Sequence, residues 1–180
     1  IIKGACLEIA GTARLAIGYG CIFNITGTIT DAKTADKATI QPSLIMPGAS
    51  FTGAGVTFNV TNAYIKTTAS YCGSSKSASG TFDFNITNSI WEQSGSLVFT
   101  EPTNGKGPTF NFNVVNSVLN STSHLVFGVT KGEIVFDNSN VNVGANRQLE
   151  NRSTMIVKNG SVANGAVATS SNAINPGTII

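Results

Sequence analysis

The sequence predicts an all-β solenoid, a single chain wound into stacked coils, and three observations carry that prediction. Residues 81–90 (TFDFNITNSI) return 28 residues later as residues 109–118 (TFNFNVVNSV), and Leu97-Val98-Phe99 keeps the same offset from Leu125-Val126-Phe127. Within each copy the apolar residues alternate, Phe82, Phe84 and Ile86 in one and Phe110, Phe112 and Val114 in the other. Finally, an Asn follows the apolar segment in five successive units, at Asn62, Asn88, Asn116, Asn138 and Asn159. An internal period of a few tens of residues marks stacked repeats. Period-two alternation with aromatic and β-branched residues marks strands that bury one face.

Each observation has a physical reading. Phe58, Phe84, Phe112 and Phe136 sit at like positions before the Asn, so an interior aromatic stack is expected, with a second one of Phe99 and Phe127. The recurring Asn suits a sharp corner, because Asn tolerates the left-handed backbone better than most residues. Coils about 4.8 Å apart would let the five amides hydrogen-bond to one another as a ladder.

From the N-terminus, 5–17 and 21–29 read as two short coils, with Gly11 and Gly27 where later units carry Asn; left-handed bends are expected at both. The most charged stretch, 31–37 (DAKTADK), reads as a solvated excursion, and 38–55 as a further coil with Pro42 and Pro47 at bends. Residues 70–80 and 101–108 are rich in Ser, Gly and Pro and read as loops flanking a groove. Residues 161–176 are the least specified. The whole of 1–180 reads as one β-helix domain. It starts without Met and ends on a strand-like Gly-Thr-Ile-Ile, so a fragment of a longer solenoid is expected.

Units of 21 to 28 residues with two or three short strands suit one coil of a parallel β-helix. The rhythm of strand, Asn turn, short second strand and variable loop over residues 56–161 resembles the right-handed parallel β-helix of pectate-lyase-like and adhesin-type surface proteins. That resemblance implies a fold of roughly seven or eight coils and no particular activity.

Composition narrows the role. Charged residues make up 11% of the chain and the formal charge is +2, against about 25% charged in a typical domain. No basic run is present, which argues against nucleic acid. No apolar run approaches the roughly 18 residues of a membrane-spanning helix. Cys6, Cys21 and Cys72 are an odd number; Cys6 and Cys21 stand one short repeat apart, with buried thiols favoured over a bridge. His124 has no partner at metal spacing and reads as a turn residue. In register, Asp137 meets Thr61, Thr87, Val115 and Lys158, so no acidic column forms, and no cofactor or metal is expected. Six Asn-x-Ser/Thr sequons, at Asn24, Asn59, Asn85, Asn120, Asn151 and Asn159, read as incidental to a composition rich in these residues.

The expected function is therefore a non-catalytic module of a large secreted or cell-surface protein, stalk-like or adhesin-like. The alternative is a polysaccharide-active enzyme or carbohydrate-binding module using the groove beside the two loops. Its binding candidates are Trp91, Glu92, Glu101 and Lys106; strand parity places Tyr64 inward and Trp91 outward, where covering a neighbouring loop is favoured over a sugar-stacking surface. Ice binding by outward Thr and Asn rows is a weaker alternative, since no Thr-x-Thr motif holds a fixed position. Expected partners are a polysaccharide or host-surface ligand and further coils of the parent chain.

Overall fold

In a computed structural model, the structure describes residues 2–3, 6–9, 15–17, 20–51, 55–73, 80–100, 109–128, 130–164, 166–169 and 178–180. These form twenty strands and no helix. The first seven are β1 (Ile2–Lys3), β2 (Leu7–Glu8), β3 (Leu15–Ile17), β4 (Ile22–Thr26), β5 (Leu44–Phe51), β6 (Val56–Thr61) and β7 (Tyr64–Gly73). Next come β8 (Thr81–Thr87), β9 (Ile90–Gln93), β10 (Leu97–Thr100), β11 (Thr109–Val115), β12 (Val118–Ser121), β13 (Leu125–Gly128) and β14 (Glu133–Asp137). The chain ends in β15 (Asn140–Val143), β16 (Gln148–Asn151), β17 (Thr154–Lys158), β18 (Val162–Asn164), β19 (Ala166–Thr169) and β20 (Thr178–Ile179).

Every strand pairing among the described residues is parallel. One sheet runs β1-β4-β6-β8-β11-β14-β17-β20. The other forks at β7: its first half pairs with β9 and leads on to β12, β15 and β18, while its second half pairs with β10 and leads on to β13, β16 and β19. Parallel neighbours need a crossover, and here each crossover is one further turn of the chain. The result is three rows of parallel strands around a common interior, an arrangement consistent with a parallel β-helix or solenoid.

Like residues meet as the repeat predicts. Phe58 pairs with Phe84 and Phe84 with Phe112, and all three are fully buried. Their ring centroids lie 5.5 and 6.0 Å apart, and Phe23 extends the column at 5.5 Å from Phe58. Full burial of one such ring is worth about 2–3 kcal/mol. Phe136 departs from the prediction. It is buried, but it stands over Val114, and Ile134 occupies the place over Phe112. The shorter unit between β11 and β14 realigns the strands so that the Asn corners coincide and the aromatic positions do not. Phe136 meets the interior aromatics through Phe127, at 6.4 Å. Phe99 and Phe127 are register partners, but the Phe99 side chain lies outside the described part, as do Gly11 and most of the 70–80 and 101–108 loops.

All five predicted corner residues are left-handed, with φ of 52° at Asn62, 45° at Asn88, 50° at Asn116, 47° at Asn138 and 53° at Asn159. Asn88 donates to Asn62 Oδ1 at 2.8 Å and Asn138 to Asn116 Oδ1 at 2.7 Å. Asn159 turns instead to Asp137 Oδ1, at 2.6 Å. Gly27 corrects the prediction of a left-handed bend, since it is absent from the positive-φ glycines among the described residues. Its role is close approach: a Cβ there would lie 2.5 Å from the Asn62 carbonyl oxygen and 2.8 Å from the Ala63 Cα.

The 31–37 excursion is also more than a solvated loop. Ile29 and Ala32 are buried against Tyr64 and Ile90, with Ile40 and Val118 at the margin. Residues 28–42 thus form a strap lying on the outside of β7, β9 and β12. Lys33 Nζ reaches Asn138 Oδ1 at 2.5 Å and Lys37 Nζ reaches Glu92 Oε1 at 2.6 Å.

Candidate functional site

The corner residue sets which side chains reach the surface. Ile86 points inward and Thr87 outward, yet after left-handed Asn88 the inward residues are Ser89, Trp91 and Gln93. The corner shifts the alternation by one place. Trp91 is consequently 0% exposed, the reverse of the outward position that simple parity assigns, and it offers no stacking face to a ligand. Its indole Nε1 donates to Thr67 Oγ1 at 2.8 Å, Thr67 Oγ1 bonds to Gln93 Oε1, and Gln93 Nε2 donates to the Thr68 carbonyl at 3.1 Å. Tyr64 is likewise reversed: it leaves the coil interior but is buried beneath the strap.

Glu92, the second candidate, stands beside a surface cleft. Its Oε2 accepts from the Tyr64 hydroxyl at 2.6 Å and its Oε1 from Lys37. Burial pushes the Glu92 carboxyl up, but the bonds from Lys37 and Tyr64 and the charges of Lys37 and Lys66 outweigh it and hold the group below its ordinary range. Burial, then the Glu92 bond and charge, pushes the Tyr64 phenol well up. Lys66 Nζ lies 5.1 Å from the Tyr64 ring centroid and has no ion-pair partner among the described residues. The cleft has a volume of about 420 Å³ and is lined by Ile45, Lys66, Thr67, Thr68, Glu92, Gln93, Ser94, Asn120 and Thr122. It sits beside the bends that follow β9 and β12. The predicted groove belonged to the loops after β7 and β10, where Glu101 and Lys106 lie outside the described residues.

Repetition also builds two polar columns that were not anticipated as such. On the outer face of the eight-stranded sheet, Asn59 donates to Asn24 at 2.8 Å, Asn85 to Asn59 at 2.9 Å and Asn113 to Asn85 at 3.0 Å. On the second row, Asn142 donates to Asn120 and Asn164 to Asn142, both at 2.7 Å. Four of the six sequon residues are therefore ladder rungs or their ends, and Asn151 is buried and bonded to Ser153. Directly after the corners, Ser89, Ser117 and Ser139 are fully buried. Each hydroxyl accepts the backbone N–H of the preceding coil, from Ala63, Ser89 and Ser117, at 3.0 to 3.1 Å. Ser161 does the same for Ser139 at 3.0 Å. The repeated Asn-Ser dipeptide is the sequence signal for this column.

Asp137 pairs in register with Val115 and Lys158, and Asp83 with Thr57 and Asn111. The Asn159 bond, against a smaller effect of burial and aided by Lys158, holds the Asp137 carboxyl below its usual range. His124 Nδ1 accepts the Gln148 N–H at 3.1 Å, as a turn residue does. Cys6 and Cys21 are exposed, correcting the expectation of burial; the Cys72 side chain lies outside the described part. Among the described residues no three His, Cys, Asp or Glu side chains gather as metal ligands. No helix among them is long and apolar enough to cross a membrane. Compared with models of protein families, with curated proteins and with solved structures, the chain matches none.

Proposed function

We propose that this chain is a rigid, non-catalytic module of a secreted or cell-surface protein, a right-handed parallel β-helix of seven or eight coils acting as a stalk or adhesin segment. The observation that carries this reading is the Ser89-Ser117-Ser139-Ser161 column, in which every corner hands a buried N–H to the next coil's hydroxyl. Such a column joins coils edge to edge without interruption, and a solenoid built this way is stiff along its axis and gains length with each added unit. Its carboxylates support the same reading: Glu92 and Asp137 are occupied by Lys37 and Lys158 in ion pairs that hold surface elements together.

Two measurements test it. Small-angle scattering should return a short prism about 35 Å long, the length of seven or eight coils stacked at about 4.8 Å, and dimensions that do not fit that stacking would refute the stalk. Incubation with neutral and acidic polysaccharides, with and without calcium, should release no sugar. Reducing or unsaturated ends appearing in proportion to protein would replace the module by an enzyme.

A further inference from the structure

The cleft beside Glu92 is not needed by a stalk, and its wall chemistry is specific. Lys66, Glu92 and Asn120 are register partners in one outward column, and Thr68, Ser94 and Thr122 follow them in the next. The Ser94 hydroxyl donates to the Thr68 carbonyl at 3.4 Å and the Thr122 hydroxyl to the Ser94 carbonyl at 2.5 Å. The short Thr122 bond commits its proton, so Thr122 Oγ1 faces a ligand as an acceptor, while the Ser94 hydroxyl, at the longer 3.4 Å, is able to donate or accept. Asn120 is placed the other way round. Its Oδ1 is taken by Asn142 at 2.7 Å, which leaves its amide N–H groups as donors. A wall with an acceptor, a hydroxyl of either role and an amide donor suits a ligand dense in hydroxyl groups, each of which donates and accepts.

Charge selects further. The strap brings Lys37 onto Glu92 at 2.6 Å, and the Tyr64 hydroxyl takes the other carboxylate oxygen. Glu92, the one carboxylate among the described residues of the wall, is therefore neutralised from behind. Lys37, Lys66 and Glu92 together leave one net positive charge at the cleft, and the Lys66 ammonium is held over the Tyr64 ring. At about 420 Å³ the cleft lies within the range of small-ligand sites, roughly 300–1,000 Å³. We infer that this cleft binds a polyhydroxylated ligand carrying an anionic group, a short acidic glycan, with the acid group on Lys66 and its hydroxyls on Ser94, Asn120 and Thr122. The strap's part is to keep Glu92 from repelling that acid.

Isothermal titration of the purified chain with a hyaluronan tetrasaccharide, cellotetraose and sodium sulfate tests this. The acidic tetrasaccharide should bind, more weakly as salt rises, and cellotetraose should bind at least about tenfold more weakly. Lys66→Met and Lys66→Gln, each checked for a wild-type circular dichroism spectrum, should both lose about tenfold or more in affinity for the acidic sugar. Three results would overturn the inference: neither sugar binds, cellotetraose binds equally well and ignores Lys66, or sulfate alone competes as strongly as the tetrasaccharide. None of them touches the stalk reading, which rests on shape.

Discussion

Asn88 allows the corner conformation and the side-chain bonds to be measured separately. Its backbone is left-handed, with φ of 45°. Its Nδ2 donates to Asn62 Oδ1 at 2.8 Å and to the carbonyls of Ile29 and Thr30 at 3.1 Å, while its Oδ1 accepts the Ala32 N–H at 2.9 Å. The one amide therefore bonds to the next coil and to the strap together. Asn88→Gly keeps the backbone unstrained and removes these bonds. At a half-buried site, where water recovers part of the loss, that costs about 2 kcal/mol. Asn88→Ala removes the same bonds and keeps a Cβ in the left-handed region without the amide that makes Asn tolerant of it, about 1 kcal/mol worse than glycine. For a chain of 180 residues, each 1 kcal/mol moves the melting temperature by about 2–4 °C. Thermal melts followed by circular dichroism should rank wild type above Asn88→Gly, by roughly 6 °C, and Asn88→Gly above Asn88→Ala, by roughly 3 °C. In both variants the Ala32 amide should exchange faster, because its acceptor is gone. Equal melting of the two variants would remove the left-handed corner from the argument, and wild-type melting of both would remove the amide bonds as well.

Ser117→Ala strips the buried Ser89 N–H of its acceptor at 3.0 Å and should cost about 2 kcal/mol, read as a lowered urea midpoint with an unchanged slope. Phe112→Ala empties a fully buried site in the aromatic column and should cost about 3–5 kcal/mol, measured in the same denaturation. Gly132→Ala should fail to fold or aggregate on expression, since φ is 104° and a Cβ would lie 2.0 Å from the Phe110 carbonyl oxygen. Glu92 governs acid sensitivity. Its folded pKa lies below the unfolded value, so its contribution is complete above the ordinary carboxylate pKa and is lost as pH falls through the folded pKa. The melting difference between wild type and Glu92→Gln should thus be largest at neutral pH and shrink below about pH 4.5; a difference that grows on acidification would contradict the sign.

The errors of reading fall at corners and between coils. Trp91 was misplaced because alternation was carried through Asn88, and one left-handed residue resets it. Phe136 was misplaced because the unit shortens from 28 to 22 residues there, and the corners kept their alignment while the aromatics did not. The strap reads as solvated because five of the seven residues of DAKTADK are polar or charged. Its burial depends on Ile29, Ala32 and Ile40 meeting Tyr64, Ile90 and Val118 from distant parts of the chain. The Ser column had a visible signal in the repeated Asn-Ser pair. Its meaning needed coils in contact, since a Ser hydroxyl is an N–H acceptor only for the coil that lies against it.

Four features are legible in single segments: the chain is all-β, its strands repeat, Phe58, Phe84 and Phe112 share a column, and five Asn residues turn left-handed. These are consequences of local periodicity and of Asn's tolerance for positive φ, which any segment carries with it. Contacts between distant segments roof Tyr64 with the strap and bring Lys66, Glu92, Asn120 and Thr122 to the edge of one cleft. Those outcomes depend on how far each coil advances over the last and on which distant segment covers its outer face, and neither quantity is encoded within a single repeat.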